Sequence, residues 1–176
     1  TIFKKNYHYR AKLTKDVVDG QKDLVSILEK NSKSLFNKKI LDIGCNDGAL
    51  LDILKKKGAK TIGIEPTDAI KDASNNHDKY QTYFDQYAAI KIKKKYGEID
   101  FIIFTNVFAH INKFSKLIEN LKNLITRNTK IVIENHYLGS VIKKYQFDSF
   151  YHEHPRTYSL TSFYYISKLL NMKIEH

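Results

Sequence analysis

Short apolar runs alternate with amphipathic stretches along most of this chain, and that alternation limits the folds open to it. Residues 39–43, 61–64, 100–105 and 130–134 read as buried strands, with a weaker strand at 80–84. Between them the pattern predicts helices over 48–57, after Thr67, over 86–95 and over 113–126. Flanking helices are predicted at 16–31, where Val17, Leu24, Ile27 and Leu28 share a face, and at 161–170. Strands alternating with helices of this length require right-handed crossovers, so the expected class is α/β: a mostly parallel sheet with helices on both faces. A run at 172–175 reads as a strand just starting with no partner left in the chain, which predicts a fold truncated at its C-terminal end. The reading divides the chain into an N-terminal segment, 1–32, and a core, 33–176.

A length of 176 residues suits one domain with a sizeable core. Hydrophobic content of 42% and charged content of 28% are ordinary for a soluble domain. No apolar run reaches the roughly 18 residues of a membrane-spanning helix. No signal peptide is legible, although the chain opens on Thr1 rather than Met. The single cysteine, Cys45, cannot form an internal disulfide, and a cytoplasmic location is expected. The formal net charge is +11. Its lysines fall in runs such as Lys55-Lys56-Lys57 and Lys93-Lys94-Lys95, late in predicted helices, where they suit the helix C-terminus and solvate a face. No strand-borne aromatic pair, zinc-finger spacing or glycine-arginine tract accompanies them. Neither nucleic acid nor membrane is therefore an expected partner. The pyrophosphate of a nucleotide-linked substrate would benefit from the positive field.

The most informative motif is Leu41-Asp42-Ile43-Gly44-Cys45-Asn46-Asp47-Gly48, which closes a strand and opens a helix. Gly44 permits a tight turn and close approach to a ligand, and Gly48 lets the next helix start nearby. The spacing differs from the dinucleotide fingerprint, and Asp42 at the strand end would repel a pyrophosphate. Asp42 suits a ligand carrying an ammonium group and a sulfonium, as S-adenosylmethionine does. Glu65 closes the next strand in Ile64-Glu65-Pro66, 21 residues after Gly44, where an acidic side chain can accept from ribose hydroxyls. Phe84 and Asp85 follow the third strand as candidate adenine neighbours, with an ordinary helix cap as the competing role for Asp85. In a parallel sheet Asp42 to Asn46, Glu65, Asn106 to His110 and Glu134 to Tyr137 all follow strand ends, so they must share one edge. This combination resembles the cofactor site of class I S-adenosylmethionine-dependent methyltransferases, whose sheet is Rossmann-like. The cofactor-binding candidates are Asp42, Gly44, Cys45, Asn46, Gly48, Glu65, Pro66, Phe84, Asp85 and Asn106.

The segments Asn106-Val107-Phe108-Ala109-His110-Ile111 and Tyr151-His152-Glu153-His154 resemble motifs of the C-methyltransferases of nucleotide-linked deoxysugars. Glu134-Asn135-His136-Tyr137-Leu138, Phe147-Asp148 and Tyr158-Ser159-Leu160 fit the same family, and the resemblance runs from about residue 7 to the end. It implies methylation of a ring carbon of a 4-keto deoxysugar. It places His154 at the base position, Tyr151 near the keto oxygen, Glu153 and His110 as supporting polar groups, and Asn106 between cofactor and substrate. It also implies an aromatic lid from the N-terminal segment, for which Tyr9 and Tyr7 are the candidates. The family's cysteine-rich zinc domain and C-terminal lobe have no counterpart in this sequence, and one cysteine cannot build that zinc site.

The residue types match the chemistry. A carbon beside a ketone becomes nucleophilic on losing a proton, which needs a base and a donor for the developing oxyanion. Methyl transfer from a sulfonium then needs alignment rather than a metal, so no metal is expected even though His110, His136, His152 and His154 are available. His152 is expected to point away from the site. Two other readings stay open: an O- or N-methyltransferase of the same fold acting on another small molecule, and a non-catalytic module that binds the cofactor or a sugar nucleotide. The sequence is silent on oligomeric state.

Overall fold

The computed structural model describes residues 5–152 and 154–175. Five strands, β1 (Lys39–Ile43), β2 (Lys60–Ile64), β3 (Asp78–Tyr80), β4 (Phe101–Thr105) and β5 (Lys130–Glu134), form one sheet in the order β3-β2-β1-β4-β5. Every pairing is parallel. The helices are α1 (Lys15–Ser32), α2 (Ala49–Lys56), α3 (Gln86–Tyr96), α4 (Phe114–Leu124), α5 (Leu138–Lys143) and α6 (Leu160–Leu169).

Strand alternation sends side chains to two separate layers. Ile40, Phe101 and Ile103 pack with Val25 and Leu28 of α1 and with Leu50 and Leu54 of α2. Leu41, Ile43, Ile102 and Phe104 pack on the other face with Ile92 of α3 and with Leu117, Leu121 and Leu124 of α4. The central strands are therefore apolar on both sides, as a covered parallel sheet requires, and the expected α/β sandwich forms.

The differences from the sequence reading are local. The third strand covers Asp78–Tyr80 rather than 80–84. Its partner β2 ends at Ile64, opposite Tyr80, and the chain then turns as Thr82 N–H donates to the Tyr80 carbonyl at 3.0 Å. The helix after Thr67 is a short 3-10 turn, Asp68–Asp72, capped by the Thr67 hydroxyl, which accepts from Ala69 N–H. Helix α5 was not expected, because Gly139 and Ser140 are poor helix formers. The expected strand at 172–175 does not form among the described residues. Met172 N–H instead closes the end of α6 onto the Ser167 carbonyl at 2.8 Å, and Glu175 pairs with Lys130 at 2.7 Å.

Parallel order gathers the loops after β1, β2, β4 and β5 on one edge, and packing presses two of them together. Gly44 has φ +81°, and a Cβ built there would lie 2.3 Å from Cγ2 of Val107 in the loop after β4. Gly44→Ala is expected to cost about 2–4 kcal/mol, combining left-handed backbone strain with overpacking. Adding Val107→Ala should relieve the contact and leave only the backbone part, about 1–2 kcal/mol. Urea unfolding of the two variants checks this; equal losses would mean that the Val107 contact contributes nothing.

Candidate active site

The loop after β1 is held by main-chain bonds. Gly44 and Cys45 N–H both donate to the Ile64 carbonyl, at 2.7 and 3.1 Å, which ties the turn to β2. Asn46 takes φ +49° and Gly48 φ +77°. Gly48 also lies against Ala73, 2.8 Å from a would-be Cβ, so α2 can begin beside the 3-10 turn only without a side chain there. Glu65 is buried and its carboxylate bridges two loops: Oε2 accepts from Asn46 N–H at 3.1 Å and Oε1 from Thr67 N–H at 2.9 Å. Pro66 lies half-buried between these anchors.

Asp42 is buried behind this loop, and its Oδ1 has no hydrogen-bond partner among the described residues. Burial, reinforced by the negative charge of Glu65, pushes its carboxyl up to about 8. A buried carboxyl oxygen without a donor, beside a second carboxylate and two glycine approaches, suits a cationic ligand. These residues fit the amino-acid and ribose ends of S-adenosylmethionine: Asp42 for the ammonium group, the Gly44–Gly48 turn for close approach, and Glu65, whose oxygens retain lone pairs, for ribose hydroxyls.

Cys45, Asp85 and Phe84 make contacts of their own within the fold. The Cys45 side chain turns under β2, packs with Leu51 and Ile70, and has its thiol pushed up by burial and then by Asp42 and Glu65. Asp85 caps α3, accepting from Ala88 N–H at 2.8 Å, so the helix-cap role is realised. The Phe84 carbonyl is held by Asn120 Nδ2 at 3.2 Å.

Residues 5–12 lie as a strap over the same edge. Asn46 Oδ1 accepts from Ala11 N–H at 3.1 Å, and its Nδ2 donates to the Tyr9 carbonyl at 3.2 Å. Asp47 Oδ2 accepts from Lys12 N–H at 2.9 Å, while its Oδ1 is buried without a partner among the described residues. Arg10 pairs with Asp72, and Asp68 N–H donates to the Lys5 carbonyl at 2.7 Å. Lys12 Nζ pairs at 2.7 Å with Asp52, which also contacts His77 at 2.9 Å. Burial works against these bonds, but they hold the Asp52 carboxyl below its usual range. Tyr9 is 42% exposed, and its ring lies 6.4 Å from that of Tyr7. The roles of Asp47, Lys12 and Arg10 were not read from sequence; Asp47 lies inside the glycine motif and was the legible signal.

The loops after β4 and β5 carry the second half of the site. Asn106, at φ +55°, donates its N–H to the Glu134 carbonyl at 3.0 Å and brings Nδ2 within 3.5 Å of Glu134 Oε1. Burial pushes the Glu134 carboxyl up. Residues 154–158 fold back onto both loops: Arg156 donates to the carbonyls of Ile111 and Asn112, Tyr158 Oη to the Phe108 carbonyl, and Leu138 N–H to the Tyr158 carbonyl. This brings His154 to His110 and His136, with ring centroids 4.7 and 5.3 Å away, and to Tyr151 at 4.3 Å. Tyr151 Oη lies 3.1 Å from His154 Nε2, and His154 Nδ1 lies 3.1 Å from the Ser149 carbonyl. His136 enters this group although the sequence assigned it no part in proton transfer; its place two residues past β5 was the available signal. The exposed His152 ring lies 6.1 Å from that of Tyr151. Glu153 lies outside the described residues. Among the described residues no group of three or more His, Cys, Asp or Glu is placed to hold a metal ion.

The methyltransferase domain family matches residues 12–176. The C-methyltransferase NovU of Streptomyces niveus is 22% identical over 159 residues, covering 89% of this chain and 38% of that protein. A ubiquinone biosynthesis O-methyltransferase of Coxiella burnetii is 28% identical over 101 residues, covering 56% of this chain and 43% of that protein. This chain thus spans less than half the length of either relative. A SAM-dependent methyltransferase from Archaeoglobus fulgidus superposes with a TM-score of 0.64 at 20% identity, covering 85% of this chain and 68% of that one.

Asp42 generates a pH signature. Between about pH 4, where a free aspartate ionises, and about 8, the folded chain holds a proton that the unfolded chain has released. The Asp42 contribution therefore favours folding in acid and is lost as pH rises through that window. Asp52 and Asp100, both held low, are ionised throughout its upper part. Urea midpoints measured at about pH 5.5 and 8 should fall less between the two for Asp42→Asn than for the wild-type chain. Identical slopes would show that Asp42 is not buried as described.

Proposed function

This chain belongs to the methyltransferase domain family, and on that premise we propose that it methylates a carbon beside the carbonyl of a nucleotide-linked 4-keto deoxysugar. The observation that carries this reading is the contact between the two half-sites. Val107 presses on Gly44 in the carboxylate loop, and the same short loop continues through Phe108 to His110 beside His154. A cationic donor held by Asp42 and Glu65 and an acceptor held at the histidine-tyrosine group would be neighbours on one sheet edge. The motif resemblance and the name of the Streptomyces relative support a carbon acceptor.

S-adenosylmethionine, when bound, supplies an electrophilic methyl group on a sulfonium. Asp42, Glu65 and the Gly44–Gly48 turn would bind and orient it, with Asn106 at the junction and Tyr9 or Tyr7 closing from the strap. The Tyr151–His154 pair takes the acceptor proton and meets the oxygen where charge develops. His110 and Glu153 support that pair in this reading. The acceptor is a small molecule, with neither nucleic acid nor membrane as partner, and the activity is placed in the cytoplasm. No described helix is long and apolar enough to cross a membrane.

A second reading follows from the Coxiella relative, whose name specifies an oxygen acceptor. A hydroxyl acceptor would use the same pair to remove its proton without forming an enolate.

Two measurements test these readings. Calorimetry should show binding of S-adenosylhomocysteine, weakened at least about 10-fold by Asp42→Ala and by Glu65→Gln, the loss of one charge-assisted contact each. Affinity unchanged in both variants would remove the proposed cofactor site. With trideuteromethyl donor and a thymidine-diphosphate 4-keto-6-deoxyhexose, the full-length protein should give a product with the label on carbon and one ring proton fewer. A label on oxygen would replace the first reading by the second.

A further inference from the structure

We propose that His77 is a positioning residue: it holds the Asp52 carboxylate in place for Lys12, keeps the 5–12 strap closed over the cofactor edge, and thereby slows cofactor exchange. This rests on the methyltransferase reading above, which supplies the cofactor that the strap covers.

His77 lies just before β3, its side chain is only 1% exposed, and it takes no part in the chemistry described above. Its Nδ1 lies 2.7 Å from the Thr61 hydroxyl and its Nε2 2.9 Å from Asp52 Oδ1. Thr61 pairs in register with Ile40, so it faces the layer in which Ile40, Leu50 and Leu54 pack. Apolar groups of the same shape could replace a hydroxyl and an imidazole there at little cost to stability. What the polar pair adds is a fixed direction of hydrogen bonding.

That direction follows from Asp52. Burial raises its carboxyl, but the bonds from Lys12 and His77 outweigh burial and hold it below the usual range. An ionised carboxylate can only accept, so Nε2 of His77 carries a proton. In the neutral imidazole Nδ1 is then bare, and the Thr61 O–H donates to it. Both bonds point the same way, from β2 through His77 to the first turn of α2. Oδ1 of Asp52 is taken, and Oδ2 meets Lys12 Nζ at 2.7 Å.

The effect on the strap is entropic. The Lys12 and Asp52 side chains are 34% and 35% exposed. An ion pair this open ordinarily contributes little, because both side chains must be immobilised to form it. Here His77 fixes Asp52 whether the strap is open or closed, so closure has only Lys12 to order. The Lys12 N–H bonds at the same time to Asp47 Oδ2, one residue past the Asn46 whose N–H rests on Glu65. The tether therefore acts where the strap meets the cofactor loop.

The test uses the full-length protein and two readouts. Amide hydrogen exchange at Ala11 and Lys12 reads strap opening without ligand. Stopped-flow displacement of S-adenosylhomocysteine reads cofactor release. Lys12→Met cuts the chain at its exposed end and His77→Leu at its buried end. Each should speed both processes about 3- to 5-fold, the range set by a partly exposed ion pair. The double variant should add little to either single one. His77→Gln, whose amide keeps a donor for Asp52, should return both rates close to wild type. Nitrogen NMR of the wild-type ring should show the Nε2–H tautomer, a reading that needs no variant and decides the case if His77→Leu does not fold. Wild-type strap exchange in His77→Leu, an undiminished effect of Lys12→Met in the His77→Leu background, or an Nδ1–H tautomer would overturn the positioning role. Faster strap exchange with unchanged S-adenosylhomocysteine release would overturn the link to cofactor exchange. No binding of S-adenosylhomocysteine by the wild-type protein would overturn the cofactor reading itself, whatever the strap readout shows.

Discussion

The carboxylate of Glu65 is the point on which the cofactor edge depends. It accepts one N–H from the loop after β1 and another from the turn after β2. Hydrogen bonds to a charged acceptor are roughly twice as strong as neutral ones, and burial shields these two from water. Asn46 is thereby fixed in its left-handed conformation, and from there its side chain reaches the strap. The geometry of the first strand's loop, the turn before the third strand and the N-terminal segment thus all converge on one side chain at the tip of β2.

The same arrangement stores electrostatic cost. Asp42 and Glu65 are both buried and raise each other's cost of ionisation, and the thiol of Cys45 feels both. A fold optimised only for its own stability would replace at least one carboxylate by a neutral group. Keeping both makes sense where a positively charged molecule completes the cluster, since binding to the folded form alone stabilises that form. The half-site built from β4 and β5 is organised differently. Among the described residues its rings lie against one another, and His154 rests on the Ser149 carbonyl.

The architecture was legible because it is written in hydrophobic periodicity. Strands β1, β2, β4 and β5 match their apolar runs within a residue, since a covered parallel strand has apolar neighbours on both faces. Strand β3 was displaced because its length is set by where β2 stops, a property of another segment. Helix α5 was invisible because tertiary contacts override the weak propensity of its Gly-Ser step. Within the site, Asp42, Gly44, Gly48 and Glu65 were readable from spacing along one βα unit and into the next. His136 was not, because its significance arises only when 154–158 folds back over two loops, and the anchors of that return, Arg156 and Tyr158, bond to carbonyls rather than to any recognisable partner side chain. Cys45 shows the converse: it lies inside the motif, yet its side chain belongs to the core.

The way the strap is gripped has an evolutionary consequence. Asn46 and Asp47 hold main-chain atoms of Tyr9, Ala11 and Lys12. Every amino acid except proline offers those same atoms. This part of the grip is therefore indifferent to the side chains at positions 9 and 11, while Arg10 and Lys12 add ion pairs to Asp72 and Asp52. A lineage could change what the strap presents at this edge of the sheet while the clasp beneath stays intact.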